Sequence, residues 1–149
     1  MVVIYAIQSP TEKSVGLLFY YSFHYFEERR LQDAPGEGNM GLEFGTYYHI
    51  SNRRNNRESL FYEERNYNYF LELYKKYIPQ VAKTFAYCLL PNHFHFLIQV
   101  NTEDEQRKTS SSSKPINVVS PSGQFSNLFN AYAKAINKSN NRRGSLFQD

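Results

Sequence analysis

The spacing of hydrophobic and polar residues predicts regular elements along most of the chain after residue 45. In two segments apolar side chains recur at three- and four-residue steps, which is typical of amphipathic helices. In three shorter segments they alternate with polar residues or run together, which is typical of strands. The predicted elements are strands over residues 46–52, 81–89 and 93–100 and helices over residues 63–77 and 124–138.

The order of these elements resembles most of a ferredoxin-like β-α-β-β-α-β unit. The predicted fold class is therefore α+β, with a ferredoxin-like (RRM-like) antiparallel sheet and two helices packed on one of its faces. The last strand of such a unit would fall beyond Asp149, so either it is absent or another segment, such as residues 1–26, completes the sheet. Residues 101–123 are polar and include a run of serines, which predicts a flexible connector.

The strand over residues 93–100 carries the first candidate chemistry. Its alternation places Phe94 and Phe96 on one side of the sheet and His93 and His95 on the other. Two neutral imidazoles that lie close together suit a divalent metal ion. The alternative is that both histidines are packed within the fold and bind nothing.

Tyr132 carries the second candidate chemistry. It lies on the predicted helix over residues 124–138, with Lys134 and Lys138 nearby. A phenol is a poor nucleophile near neutral pH, since its pKa is about 10. It can attack a phosphodiester where a metal ion polarises the phosphoryl group and a cation supports the phenolate. The alternative is a core tyrosine on the apolar stripe of the helix.

Charge and composition permit a polyanionic partner without demanding one. The net charge is +3, and basic residues cluster at Arg53, Arg54 and Arg57 and again near the end of the chain. Each cluster could be a solvated face or a set of phosphate contacts. Cys88 is the only cysteine, which fits a reducing cytoplasm, and it is expected in the core. No apolar run has the length of a membrane span.

Taken together, these motifs resemble the single-tyrosine HUH transposases, a family that includes insertion-sequence and REP-associated types. The resemblance is carried by Tyr47-Tyr48-His49-Ile50-Ser51-Asn52-Arg53, by Pro91-Asn92-His93-Phe94-His95 after an aromatic-Cys-Leu run, and by the helix with Tyr132 followed by Gly144-Ser145-Leu146-Phe147-Gln148. The matching segments fall within residues 42–148 and follow the order of the family. The Pro-Asn-His-x-His motif is the most specific of them.

The resemblance implies metal-dependent cleavage and rejoining of single-stranded DNA, which is DNA transposition. His93 and His95 would bind Mg²⁺ or Mn²⁺, and Tyr132 would form a 5′-phosphotyrosine and leave a free 3′-OH. Asn137 would complete the metal site, although its position is about 140° around an ideal helix from Tyr132. The DNA would be a hairpin or an element end, and a homodimer is left open.

The resemblance also suggests residues that contact the nucleic acid and limits for the domain. The expected contacts are His49, Asn52, Arg53, Arg57, Lys134 and Lys138. The catalytic domain would span residues 42–149, with residues 1–41 as an extension that the family does not explain. Relatives continue with a basic segment after Asp149, so a truncated copy is an open alternative. The runner-up function is a non-catalytic domain that binds single-stranded nucleic acid or DNA hairpins, including a decayed transposase.

Overall fold

The structure, a computed structural model, describes residues 3–7 by their backbone and residues 41–54, 58–109 and 118–147. It confirms the α+β class, with an antiparallel sheet and helices. None of the helices in these ranges is both long and apolar enough to cross a membrane. The elements are β1 (Val3–Ile7), β2 (Tyr47–Arg53), α1 (Glu64–Tyr77), β3 (Ala82–Leu90), β4 (His93–Val100), α2 (Glu103–Thr109) and α3 (Pro121–Ser139).

The sheet has the strand order β1-β2-β4-β3, and all of its neighbouring strands are antiparallel. The two central strands, β2 and β4, are therefore not consecutive in the chain. The helix α1 connects β2 to the far edge strand β3, and a tight turn at Pro91 and Asn92 then brings β4 back between them. This turn is also held from outside, because Pro91 O accepts hydrogen bonds from the backbone N–H groups of Leu60 and Phe61.

A strand near the start of the chain completes the sheet. β1 pairs with the outer edge of β2, with Val3 opposite Ser51 and Ile7 opposite Tyr47. Of the two possibilities that the sequence left open, the structure supports completion by the N-terminal segment. The resulting four-stranded order is compatible with a ferredoxin-like arrangement. Residues 8–40, which include an apolar stretch at 15–26, lie outside the described residues.

The two long helices cover one face of the sheet. The α1 helix begins with a capping box between Glu63 and Asn66, and its buried side presents Phe70 and Tyr74. The ring of Tyr74 stacks on Phe96 of β4 with a centroid distance of 4.3 Å. The α3 helix adds Tyr132, whose ring meets Phe70 edge to face at 4.9 Å. The core thus lies between α1, α3 and the phenylalanine side of β4.

Both ends of the predicted connector are helical. Residues Glu103–Thr109 form the helix α2, because Thr102 and Glu105 make a reciprocal N-terminal cap: Thr102 N donates to Glu105 Oε2 at 2.9 Å and Glu105 N donates to Thr102 Oγ1 at 3.3 Å. The α3 helix begins at Pro121, ahead of the predicted residue 124, since Ser120 caps it and proline suits its first turn. Residues 110–117 lie outside the described residues.

The chain folds back after α3 and returns to the core. Gly144 has φ of 96°, a conformation that glycine adopts without strain, and it lies in the reversal. Phe147 then forms an isolated antiparallel bridge with Arg54. Its ring packs 5.4 Å from that of Phe129, measured between centroids, so the returning segment closes one end of the helix layer.

The core geometry predicts a large loss of stability when Phe70 is truncated. Phe70 of α1 is fully buried and contacts the rings of Tyr132 on α3 and Phe94 on β4. Phe70→Ala should lower the free energy of unfolding by about 3–5 kcal/mol, because it leaves a cavity between closely packed rings. Phe44→Ala is the matched control: this phenylalanine is 41% exposed, and its loss should change stability by about 0.5 kcal/mol or less. Urea denaturation measures both, and equal losses would contradict this core assignment.

Candidate functional site

Three histidines meet on the face of the sheet that α1 and α3 do not cover. We call this side, which carries His49, His93 and His95, the histidine face. His95 pairs with Ser51 and His93 with Arg53, so His49 lies diagonally from His95 across β2 and β4. The His49 and His95 rings stack with centroids 5.0 Å apart, and His49 Nε2 lies 2.9 Å from His95 Nδ1. The His93 ring stands edge-on to that of His95, also at 5.0 Å.

The hydrogen bonds at the Nδ1 atoms orient the candidate metal ligands. His93 Nδ1 lies 2.6 Å from Asn92 Oδ1, and a carbonyl oxygen can only accept, so this contact places the His93 proton on Nδ1. The lone pair of His93 is then at Nε2. His95 has the same arrangement in the tautomer that donates from Nδ1 to His49 Nε2. Partners of this kind fix the tautomer of metal-binding histidines.

Burial keeps two of the imidazoles neutral. Burial, together with charge repulsion from the neighbouring His49 and His93, lowers the pKa of His95 to about 3. Burial also lowers the pKa of His49 to about 4. Near pH 7 both rings therefore carry no charge and retain the lone pair that a metal ion requires.

The donor set fits a two-imidazole site rather than a closed cage. Within residues 41–54, 58–109 and 118–147, no group of three or more His, Cys, Asp and Glu side chains is arranged to hold a metal ion. His93 and His95 would hold a cation that takes its remaining ligands from water and phosphate. Imidazole nitrogen suits transition-metal ions better than it suits Mg²⁺, so of the two expected cations Mn²⁺ fits this pair better. His49 is placed to orient His95.

The structure places Tyr132 away from the histidines. Its side chain is fully buried on the helix side of the sheet, and its hydroxyl donates to Leu60 O at 2.9 Å. Burial raises the pKa of Tyr132 far above the ordinary value for a phenol, and nearby Tyr67 raises it further. The sequence led us to expect this phenol close to His93 and His95. In this conformation it is not close to them, because β4 lies between the phenol and the two imidazoles. The apolar stripe of α3 makes Tyr132 a core residue.

Two other expected site residues are also held elsewhere. Asn137 Nδ2 donates to Gly144 O at 2.9 Å, at the end of α3 in the helix layer, so Asn137 is not part of the histidine site. Asn52 is buried on the helix side of β2, and its Oδ1 accepts from Arg53 N at 2.7 Å. Asn52 is therefore not available at the surface to contact DNA.

The expected basic contacts are divided between the two sides of the sheet. Arg53 is paired with His93 and shares the histidine face. Lys134 and Lys138 are exposed on α3, which covers the other face. Arg57 lies outside the described residues. A single nucleic-acid strand could contact Arg53 and the α3 lysines together only by passing around the sheet.

Sequence reasoning missed the structural role of Arg54. This arginine is 1% exposed, its guanidinium pairs with Glu58 at 2.6 Å, and it also donates to Ser59 O. Arg142 contacts the same Glu58 carboxylate at 3.2 Å. Both arginines belong to the basic clusters for which the sequence left open a solvated face or phosphate contacts, and here they tie the loop after β2 to the end of α3. The signal in the sequence was the acidic residue four positions after Arg54.

Cys88 also differs from its expected place. It is half-buried and pairs with His95 across β3 and β4, so it belongs to the histidine face rather than to the core between the helices and the sheet. The run of apolar residues around it concealed this, because a strand that is apolar on both sides has no clear alternation.

Comparisons of the chain with protein-family models, curated proteins and solved structures find no match. No residue role in this chain is therefore supported by a family or by a structural neighbour. The resemblance to HUH transposases consequently remains a resemblance of motifs.

The neutral imidazoles predict a loss of stability in weak acid. The unfolded chain takes up protons at His49 and His95 near pH 6.5, whereas the folded chain does so only near pH 4 and pH 3. The free energy of unfolding should thus fall as the pH is lowered from about 6.5 to about 4. Denaturation across this range measures the slope. His95→Gln should flatten it, and an unchanged slope in this variant would contradict the assignment.

The buried phenol predicts that Tyr132→Phe reduces stability. The substitution leaves the fully buried backbone of Leu60 without its partner for the carbonyl oxygen, which costs about 1–3 kcal/mol. The measurement is the urea midpoint at constant slope. Tyr62→Phe is the control, because Tyr62 is 44% exposed and should tolerate the change. A solvent-facing nucleophile at position 132 would instead make Tyr132→Phe neutral.

Proposed function

We propose that this chain is a single-stranded DNA-binding domain that holds a divalent cation at His93 and His95 and uses Tyr132 to stabilise its fold. The motifs suggest two functions, covalent DNA cleavage and DNA binding without catalysis, and we propose the second. One observation carries it: the Tyr132 hydroxyl is hydrogen-bonded in the core on one side of β4, while the paired imidazoles lie on the other side. The metal and the phenol would therefore lie on opposite sides of the sheet, with the phenol inside the core.

The proposal includes a ferredoxin-like fold. The order β1-β2-β4-β3 is that of a β-α-β-β-α-β sheet in which the N-terminal strand takes the edge position of the last strand. The helices α1 and α3 would be the two helices of the unit. In such a unit both helices pack on the same face of the sheet, and α1 and α3 pack on the face opposite the histidines.

The chemistry of the histidine face supports phosphate binding. A cation held by the two imidazoles would attract a phosphate of the strand and orient its oxygens. Arg53 stands opposite His93 in the sheet and adds a fixed positive charge beside that position. Because the buried imidazoles are neutral, they do not repel the cation. Asn92 and His49 restrict the rotation of the two ligand rings.

Covalent cleavage of the strand is the second candidate, and the imidazole pair of His93 and His95 favours it because a cation held there could polarise a phosphate. It would require a phenol on the histidine face. Tyr47 meets this condition, because it lies two positions before His49 on the same side of β2. Tyr48 is buried on the helix side, and Tyr87 pairs with Phe96 and so belongs to the helix side of β3.

A binding and adduct assay tests the proposal. Single-stranded DNA and DNA hairpins are incubated with the protein in Mn²⁺ or in EDTA, and the samples are run on native and denaturing gels. We expect Mn²⁺ to tighten binding, His93→Ala and His95→Ala to remove that gain, and no adduct to survive denaturation. Gln99→Ala, a change on the same strand and face, is the matched control. A denaturation-resistant adduct that disappears in Tyr132→Phe would overturn the proposal, as would the absence of DNA binding with or without Mn²⁺.

Arg53 predicts a specific dependence on salt. If it contacts a phosphate, Arg53→Ala should weaken binding for all sequences and lower the slope of log K against log salt by about 1. Lys108→Ala, an exposed cation on α2, is the control and should leave the slope unchanged. Equal slopes for wild type and Arg53→Ala would remove Arg53 from the contact surface. Fluorescence anisotropy with a labelled oligonucleotide provides the measurement.

A further inference from the structure

A β-bulge in β3 gives the histidine face a second feature. The register between β3 and β4 shifts between Thr84 and Ala86, so Phe85 is the additional residue. A bulge re-aims the side chains beside it, and the Phe85 ring meets that of Tyr47 with centroids 5.5 Å apart. Because Tyr47 shares the side of β2 that carries His49, the Phe85 ring lies on the histidine face.

The rings of Tyr47 and Phe85, which we call the aromatic bridge, meet above β4. Tyr47 belongs to β2 and Phe85 to β3, and β4 lies between these strands. Phe85 is 45% exposed, so its ring is only partly used in packing. An exposed aromatic ring by itself needs no explanation. This ring differs because a bulge directs it toward a second aromatic residue, beside the proposed cation site.

We infer that the aromatic bridge of Tyr47 and Phe85 stacks one unpaired base of the bound DNA strand, an inference that rests on the proposed function. Phe85 stands between Thr84, opposite Ile98, and Ala86, opposite Leu97, so it lies two to three residues, or roughly 7–10 Å, along β4 from the ligand His95. A strand whose phosphate lies at the imidazole pair therefore has a base within reach of Phe85. The base must be unpaired and unstacked to present its face.

The charges near the bridge indicate what kind of contact it makes. The cation on this part of the face is Lys83, which pairs with Gln99 in the sheet and forms an ion pair with Glu105 of α2. Glu105 follows Glu103 and Asp104 in the first turn of that helix. Among the described residues, Lys83 and the first turn of α2 are together neutral to acidic and do not attract a phosphate. The bridge thus contributes stacking, and the phosphate contacts are left to the imidazole pair and Arg53.

Removing the Phe85 ring separates stacking from charge. Phe85→Ala should weaken binding of an oligothymidylate of about 12 nucleotides by about fivefold or more, with no change in the salt slope. Tyr87→Ala is the matched control, because Tyr87 is 55% exposed on the neighbouring part of β3 but belongs to the helix side. It should leave the affinity unchanged. Thermal denaturation confirms that each variant is folded, and Phe85→Tyr should restore binding.

A tryptophan reporter gives an independent measurement, because the chain contains no tryptophan. In Phe85→Trp the single indole should lose fluorescence when the oligothymidylate stacks on it, whereas the indole of Tyr87→Trp should not respond. If anisotropy shows DNA binding but Phe85→Trp is not quenched and Phe85→Ala binds normally, the inference is overturned and the proposed function stands. If neither the wild-type protein nor any of the variants binds DNA, the proposed function itself fails.

Discussion

The alternation of side chains along β4 is the constraint on which the rest of this structure depends. A strand sends successive residues to opposite faces, so a strand that buries Phe94 and Phe96 must turn His93 and His95 away from the helices. The phenylalanines fix the strand, because they fill the space beneath α1 and α3. Any change that released them would also release the imidazoles. The stability of the core and the geometry of the histidine pair are therefore one property of a single strand.

The same alternation explains which parts of the structure could be predicted. Strong periodicity located β4 at its observed bounds and both long helices to within a few residues. It also separated the phenylalanine side from the histidine side correctly. Weak or mixed patterns failed: the connector concealed a capped helix behind a polar composition, and β3 concealed both its bulge at Phe85 and the side on which Cys88 lies. Neither feature has a periodic signal that a single sequence can reveal.

The candidate site was predictable only where neighbours in space are fixed by strand geometry. His93 and His95 follow from β4 alone, and His49 joins them because β2 lies directly beside β4. The positions of Tyr132 and Asn137 could not be predicted from strand geometry. The apolar stripe of a helix shows which side is buried but does not show which face of the sheet the helix covers. Arg54 shows the same difficulty for charge, because a buried guanidinium and a phosphate-binding one look alike in a run of basic residues.

The bridge between Arg54 and Phe147 has a topological consequence. Arg54 N donates to Asn92 O, on the side of β4, so the bridge uses the opposite edge of β2. That is the edge along which β1 pairs from Ser51 to Tyr47, with the same antiparallel direction. Phe147 and β1 therefore lie end to end along the same edge of β2. The two segments thus share the outer edge of β2 without overlapping, and β1 occupies the positions that a strand continuing from Phe147 in this direction would need.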